Sequence, residues 1–208
     1  SMDGTIINMV TNYKFLGYNI DNNLNMNVIV DNIITKLQIC SGILAKCKRF
    51  LTKDQLNIIF NCIGAAYINY NAIICLNLTN SQKKKISSAY DHCGSVIHNC
   101  FLKHLDQHEW VTFNTFLHRY ILVFLHKILH HGYCPPLKIK LESTSNTSSI
   151  NLRNVNKLPV KRFHSSFGQR CIEHWAPKNW NVLPMYIREE KSLRLFKREI
   201  HKFMTQHT

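Results

Sequence analysis

Acidic residues are scarce in this chain: 12 Asp and Glu stand against 26 Lys and Arg, and Asp3, Asp21, Asp31, Asp54, Asp91 and Asp106 occur singly. With no paired aspartates on a strand turn of the Y-x-D-D kind, neighbours in the chain cannot build a carboxylate cage for two Mg2+ ions. Long apolar runs are missing too. None approaches the about 20 residues that span a bilayer, and the N-terminus lacks the apolar centre of a secretory leader. The motifs G-x-S-x-G, G-x4-G-K-S/T and H-E-x-x-H are absent, which removes the nucleophile elbow, the phosphate loop and the zinc helix. Cys40, Cys47, Cys62, Cys75, Cys93, Cys100, Cys134 and Cys171 never fall at C-x2-C spacing, so a zinc knuckle is excluded. They read as reduced thiols that pack like small apolar side chains.

What the chain has is positive charge. Its formal net charge is +14, and the excess grows along the sequence. Residues 1–80 carry 6 basic against 4 acidic groups, residues 81–140 carry 8 against 3, and residues 141–208 carry 12 against 5. A polyanion is the partner such a balance suits, because each phosphate neutralised releases condensed counterions. Solubility alone is the competing explanation. At 45% hydrophobic and 18% charged, the 208 residues read as globular and long enough for one domain or two small ones.

The pattern predicts a mainly α protein. Residues 1–24 carry a short hairpin around Gly17. A helical bundle occupies 25–141, a polar linker 142–157, and a small α+β module with a terminal helix 158–208. Val28, Ile29, Ile33, Ile34, Leu37, Cys40, Ile43 and Leu44 recur at helical spacing, which predicts a first helix over about 27–48. Thr52 and Gln55 form a capping box that opens a second helix running through Ile74. A third begins near Thr79 and reaches about His104. The fourth, from about Thr112 to His131, is apolar almost all round and so belongs at the centre of the bundle. Gly132 suits its C-terminus, and Pro135-Pro136 bars continuation. Leu158 to Glu173 suggests short extended segments, and Ser192 an N-cap for a last helix to about Met204.

Near the end of the chain stands Trp175-Ala176-Pro177-Lys178-Asn179-Trp180-Asn181-Val182-Leu183-Pro184, followed by Ser192-Leu193 and Phe196-Lys197. At the other end is Asn12-Tyr13-Lys14-Phe15-Leu16-Gly17, then Ile20-Asp21-Asn22-Asn23-Leu24, with Leu129-His130-His131-Gly132-Tyr133-Cys134-Pro135-Pro136 and Phe167-Gly168-Gln169-Arg170 between. In this order the landmarks resemble the C-terminal part of the reverse transcriptase of non-LTR (LINE-type) retrotransposons. The resemblance implies the thumb and connector without fingers or palm, since the family's catalytic aspartates precede the Tyr13 to Gly17 segment. It therefore implies no enzyme activity for this stretch alone. Some positions depart from the family: Leu24 to Ile29 lacks a tryptophan and a histidine, Tyr70 to Cys75 lacks a glycine and a tryptophan, and Ala176 replaces a glycine. Ser1 ahead of Met2 resembles a protease-cleavage remnant. Met2 as a native start would make the chain a free-standing descendant; otherwise it is a piece cut after the palm.

By that resemblance Tyr13, Phe15, Leu16 and Gly17 correspond to a primer-grip hairpin, with Lys14 able to meet a phosphate. The competing reading is a strand anchored to a core. Lys46, Lys48, Arg49 and Lys53 at helix ends are candidate phosphate contacts, or else solvated helix ends. Lys83, Lys84 and Lys85 oppose the dipole of their helix and form a second candidate patch. Lys161, Arg162, Arg170 and Lys178 interleave with Phe163, Phe167, Trp175 and Trp180, a pattern suited to single strands. The tryptophans read better as a small core, leaving binding to the cations. Arg194, Lys197, Arg198 and Lys202 give the last helix a basic face. Cys100, His104 and His108 share one helical face, yet one helix cannot supply a tetrahedral shell, so no metal or other cofactor is expected. His130-His131 reads as a partly cationic close to its helix. The expected partner is RNA, an RNA/DNA hybrid or DNA, in an intracellular, nuclear setting and away from membranes. The other reading is a protein-interaction or regulatory module using an apolar helical face or the tryptophan box.

Overall fold

The computed structural model describes residues 10–15, 17–21, 26–108, 110–142 and 157–206, and it begins with an antiparallel hairpin. Strand β1 (Asn12–Phe15) pairs with β2 (Tyr18–Asp21), with Tyr13 opposite Ile20 and Lys14 opposite Asn19. Gly17 turns the chain at φ +85°, a left-handed value that glycine adopts at little cost. Leu16 and Leu24 lie outside the described residues. All later regular structure among the described residues is helical, in keeping with a mainly α bundle.

Helix α1 (Asn27–Cys47) buries Ile29, Ile33, Leu37, Cys40 and Leu44 along one stripe. By length and composition it could also cross a membrane, which corrects the expectation that no stretch qualifies; 39% of its most apolar window is buried in the bundle. Helix α2 (Lys53–Phe60) starts at the expected capping box, where the Thr52 N–H donates to Gln55 Oε1 at 3.0 Å and the Gln55 N–H donates to Thr52 Oγ1 at 3.4 Å. The single helix expected from there to Ile74 is divided. A π turn (Asn61–Ala65) leads into α3 (Ala66–Tyr70), and α4 (Ala72–Asn77) follows a break at Asn71. At the break, Asn71 Nδ2 donates to the Tyr67 carbonyl at 2.7 Å, a side-chain bond that competes with the helical ladder.

Helix α5 (Asn80–His98) stops short of His104 because Asn99 adopts a left-handed conformation at φ 52°. A 3-10 helix (Leu102–His108) then leads to α6 (Phe113–His131), which ends as expected at Gly132 with φ +70°. Pro135 and Pro136 open α7 (Pro135–Glu142), since a fixed φ suits the first turn of a helix as well as it ends one. The C-terminal part departs most from expectation. Residues 157–165 are irregular, and 166–206 form α8 (Ser166–Arg170), α9 (Ile172–Val182), α10 (Met185–Arg188) and α11 (Leu193–Gln206), with no strand among them. Ser165 caps α8, its hydroxyl accepting from the Gly168 N–H at 3.0 Å. In α9 the burial of Ala176 and Trp180 outweighs Pro177, which removes a helical donor.

Two clusters make the core, and α6 belongs to both. Phe113, Leu117 and Ile121 close the cluster built by α1 to α5. Leu122, Leu125 and Ile128 close a second with Leu141, Trp180, Leu183, Ile187, Phe196 and Ile200. Among the described residues, the apolar side chains of the expected C-terminal module are completed by α6. Most of the expected polar linker, residues 143–156, lies outside the described residues.

Candidate nucleic-acid interface

The α1–α2 junction gathers the first set of cations. Lys46 sits in the last turn of α1, where the dipole favours it, and Lys48, Arg49 and Lys53 follow within one connection. All are exposed. Lys48 Nζ donates to Asn99 Oδ1 at 3.3 Å, which brings the end of α5 alongside. His98 stacks on His108 at 5.1 Å between ring centres. Burial, then the positive neighbours His108 and Lys53, hold its imidazole below the ordinary pKa.

The Lys83 to Lys85 patch separates into two kinds of residue. Lys84 and Lys85 are exposed. Lys83 is half-buried, and its Nζ donates to the Leu76 carbonyl at 3.1 Å, at the end of α4. Burial, then the guanidinium of Arg170, lowers its pKa. Beneath it burial pushes the Cys75 thiol up to about 12. Lys83 therefore serves packing instead of an open phosphate site. Arg170 is half-buried, with its Nε enclosed and unpaired.

Around the tryptophan box, Arg162 and Lys178 are exposed. Lys161 lies 3.8 Å from Glu173, which also meets Lys140 at 3.6 Å. Trp180 is 2% exposed and packs near Phe196, while half-buried Trp175 lies 4.8 Å from the His118 ring. These rings are structural. Asn181 adds to that role: its side chain accepts from the Leu158 N–H at 2.8 Å and donates to the Leu158 carbonyl at 2.7 Å, pinning the irregular segment. Of the four rings in this region, Phe167 is the exposed one.

Along α11, Arg194, Lys197, Arg198 and Lys202 face solvent. Glu199 pairs with Arg198 at 3.0 Å and Lys202 at 3.6 Å, so part of this face is neutralised. Across a groove of about 600 Å3 from Lys197 and Arg198 stand Arg119 and Lys127 of α6, cations that reading of the sequence passed over. Arg119 Nη1 donates to His201 Nδ1 at 2.9 Å and sits over the Phe116 ring at 6.0 Å. Lys127 lies over Tyr133 at 5.3 Å. A signal for them was present: Phe116, Tyr120, Val123 and Lys127 recur at i, i+4, i+7 and i+11, with Arg119 beside them.

The histidines at the end of α6 correct another expectation. His130 donates toward the Arg188 carbonyl at 3.3 Å, and His126 meets the Glu190 carbonyl at 2.6 Å. Burial lowers the pKa of both imidazoles, which for His130 favours a neutral donor over the partly cationic ring expected there. On the hairpin, Tyr13 and Lys14 are exposed, and a Cβ placed on Gly17 would lie 3.8 Å from the Tyr70 hydroxyl. Among the described residues no group of three or more His, Cys, Asp or Glu could hold a metal ion. No family model, no curated protein and no solved structure matches this chain.

Proposed function

We propose that the chain is a non-catalytic nucleic-acid-binding module, related to the thumb and connector of a non-LTR reverse transcriptase, that grips RNA, an RNA/DNA hybrid or DNA through backbone phosphates. One observation carries this reading: among the described residues Lys46, Arg49, Lys53, Arg194 and Lys197 are exposed and enter no ion pair. They lie where α1 meets α2 and along α11, on helix ends and faces that can follow a phosphate backbone. Such contacts fix position and carry no sequence information. The test is affinity for an RNA/DNA hybrid as salt rises. Tight binding with a steep negative log-log slope is expected, and each alanine replacing Arg49, Lys53 or Lys197 should reduce that slope by about 1. Flat or undetectable binding at low salt overturns the reading.

A protein partner is the second reading, favoured by the exposure of Val182 (69%), Met185 (59%) and Tyr186 (63%) beside the tryptophan box. Partner capture that persists at high salt and fails in Met185→Ala/Tyr186→Ala would favour it.

A further inference from the structure

We propose that the groove between the π turn, α6 and α11 is a nucleotide pocket, holding one unstacked nucleoside monophosphate unit of a single strand. This rests on the nucleic-acid reading and names the ligand of a site within it. The groove's volume, about 600 Å3, falls within the range of small-molecule sites, about 300–1,000 Å3. Its cations are Arg119, Lys127, Lys197 and Arg198, with His201 beside them, and among the described residues no carboxylate lines it. Glu199 is near, yet it is taken up by Arg198 and Lys202.

Arg119 is the informative residue. It is half-buried, and burial lowers its pKa, so its charge is held at a cost. Among the described residues it pairs with no carboxylate: its partners are an imidazole nitrogen and an aromatic face. A phosphate would supply the missing counter-charge and accept from the guanidinium in the bidentate geometry that arginine offers. The same α6 wall also suits a base. Phe116 and Tyr120 both line the groove; the Phe116 ring packs on Tyr90 at 5.6 Å and lies under Arg119, which leaves Tyr120, 37% exposed, as the ring to stack on a base. Asn61 and Asn69 contribute amides, and the enclosed Oδ1 of Asn69 has no hydrogen-bond partner. The π turn brings Asn61 and Ala65 to the groove wall, and widened turns of this type recur at functional sites.

The full chain is titrated calorimetrically with AMP, UMP and inorganic phosphate, and separately with an RNA/DNA hybrid. Binding of either nucleoside monophosphate is expected to exceed that of inorganic phosphate. Tyr120→Ala is expected to weaken it about five- to a hundredfold, and Tyr120→Phe to retain it. Lys127→Ala is expected to weaken it about tenfold, as loss of one charge-assisted contact does. Melting curves show whether each variant is folded, and Tyr120→Phe controls for packing. Phosphate binding as tight as the nucleotides, or nucleotide binding unmoved by Tyr120→Ala and Lys127→Ala, overturns the pocket. Hybrid binding without nucleotide binding sinks the pocket alone, and nucleotide binding without hybrid binding sinks only the module reading.

Discussion

At the scale of single residues, two positions show how packing sets behaviour that composition hides. A Cβ on Gly94 would lie 2.5 Å from the Trp110 ring, whose indole N–H donates to Asp91 at 3.3 Å. Alanine there should improve helix propensity by about 1 kcal/mol and still cost about 1–2 kcal/mol net, because the indole must leave its place. Urea denaturation should show that loss in wild type and little or none in a Trp110→Leu background; simple additivity would refute the contact. His118 gives a pH effect with a definite sign. Burial, then Lys83, depresses its pKa from 6.5 to about 4. The unfolded chain therefore binds this proton first, so stability falls as pH drops through about 6.5 and keeps falling to about 4, by up to about 3 kcal/mol. His118→Gln should flatten the difference in urea midpoint between pH 7 and pH 5, and an unchanged difference would refute the assignment. The candidate site was only partly legible at this scale. Exposed Arg49, Lys53 and Lys197 could be named from charge and helix ends, whereas Lys83 looked like a phosphate ligand because sequence cannot show that its ammonium caps α4.

At the scale of elements, legibility follows how local the controlling interaction is. The start of α2 at Thr52 and the end of α6 at Gly132 were readable because a cap depends on residues three or four apart. The π turn and the break at Asn71 were not, since both depend on what the helix packs against. There a Cβ on Gly64 would lie 2.9 Å from the Phe60 ring and 3.3 Å from Cys40 Sγ. Helix α9 was not foreseen, because Pro177 disfavours a helix interior locally, while Trp180 and Leu183 are buried by distant helices. Helix α11 illustrates the same dependence. It docks through Phe196 and Ile200, both fully buried, with Phe196 stacked on His126 at 4.1 Å. Phe196→Ala should cost about 3–5 kcal/mol. A loss below about 1 kcal/mol in chemical denaturation would mean that this helix is not held as described.

At the scale of the whole molecule, the question is whether the two ends of the chain fold as separate bodies. Composition suggests so, because the Ser- and Asn-rich stretch around residues 143–156 has little to bury. The core says otherwise. Helix α6 gives Phe113, Leu117 and Ile121 to one cluster and Leu122, Leu125 and Ile128, the next turns of the same helix, to the other. Neither cluster can lose α6 without exposing buried leucines and isoleucines, so they should melt together. The tryptophans make this measurable: Trp110 packs on the first cluster, Trp180 lies in the second and Trp175 touches both. In Trp175→Phe/Trp180→Phe the remaining fluorescence reports the first cluster, and in Trp110→Phe/Trp175→Phe it reports the second. Within each variant, the fluorescence and far-ultraviolet circular dichroism midpoints in urea should coincide. Two resolved transitions would instead make the tryptophan-box segment a separate domain resting against the bundle, and would return the polar stretch to the role of a true boundary.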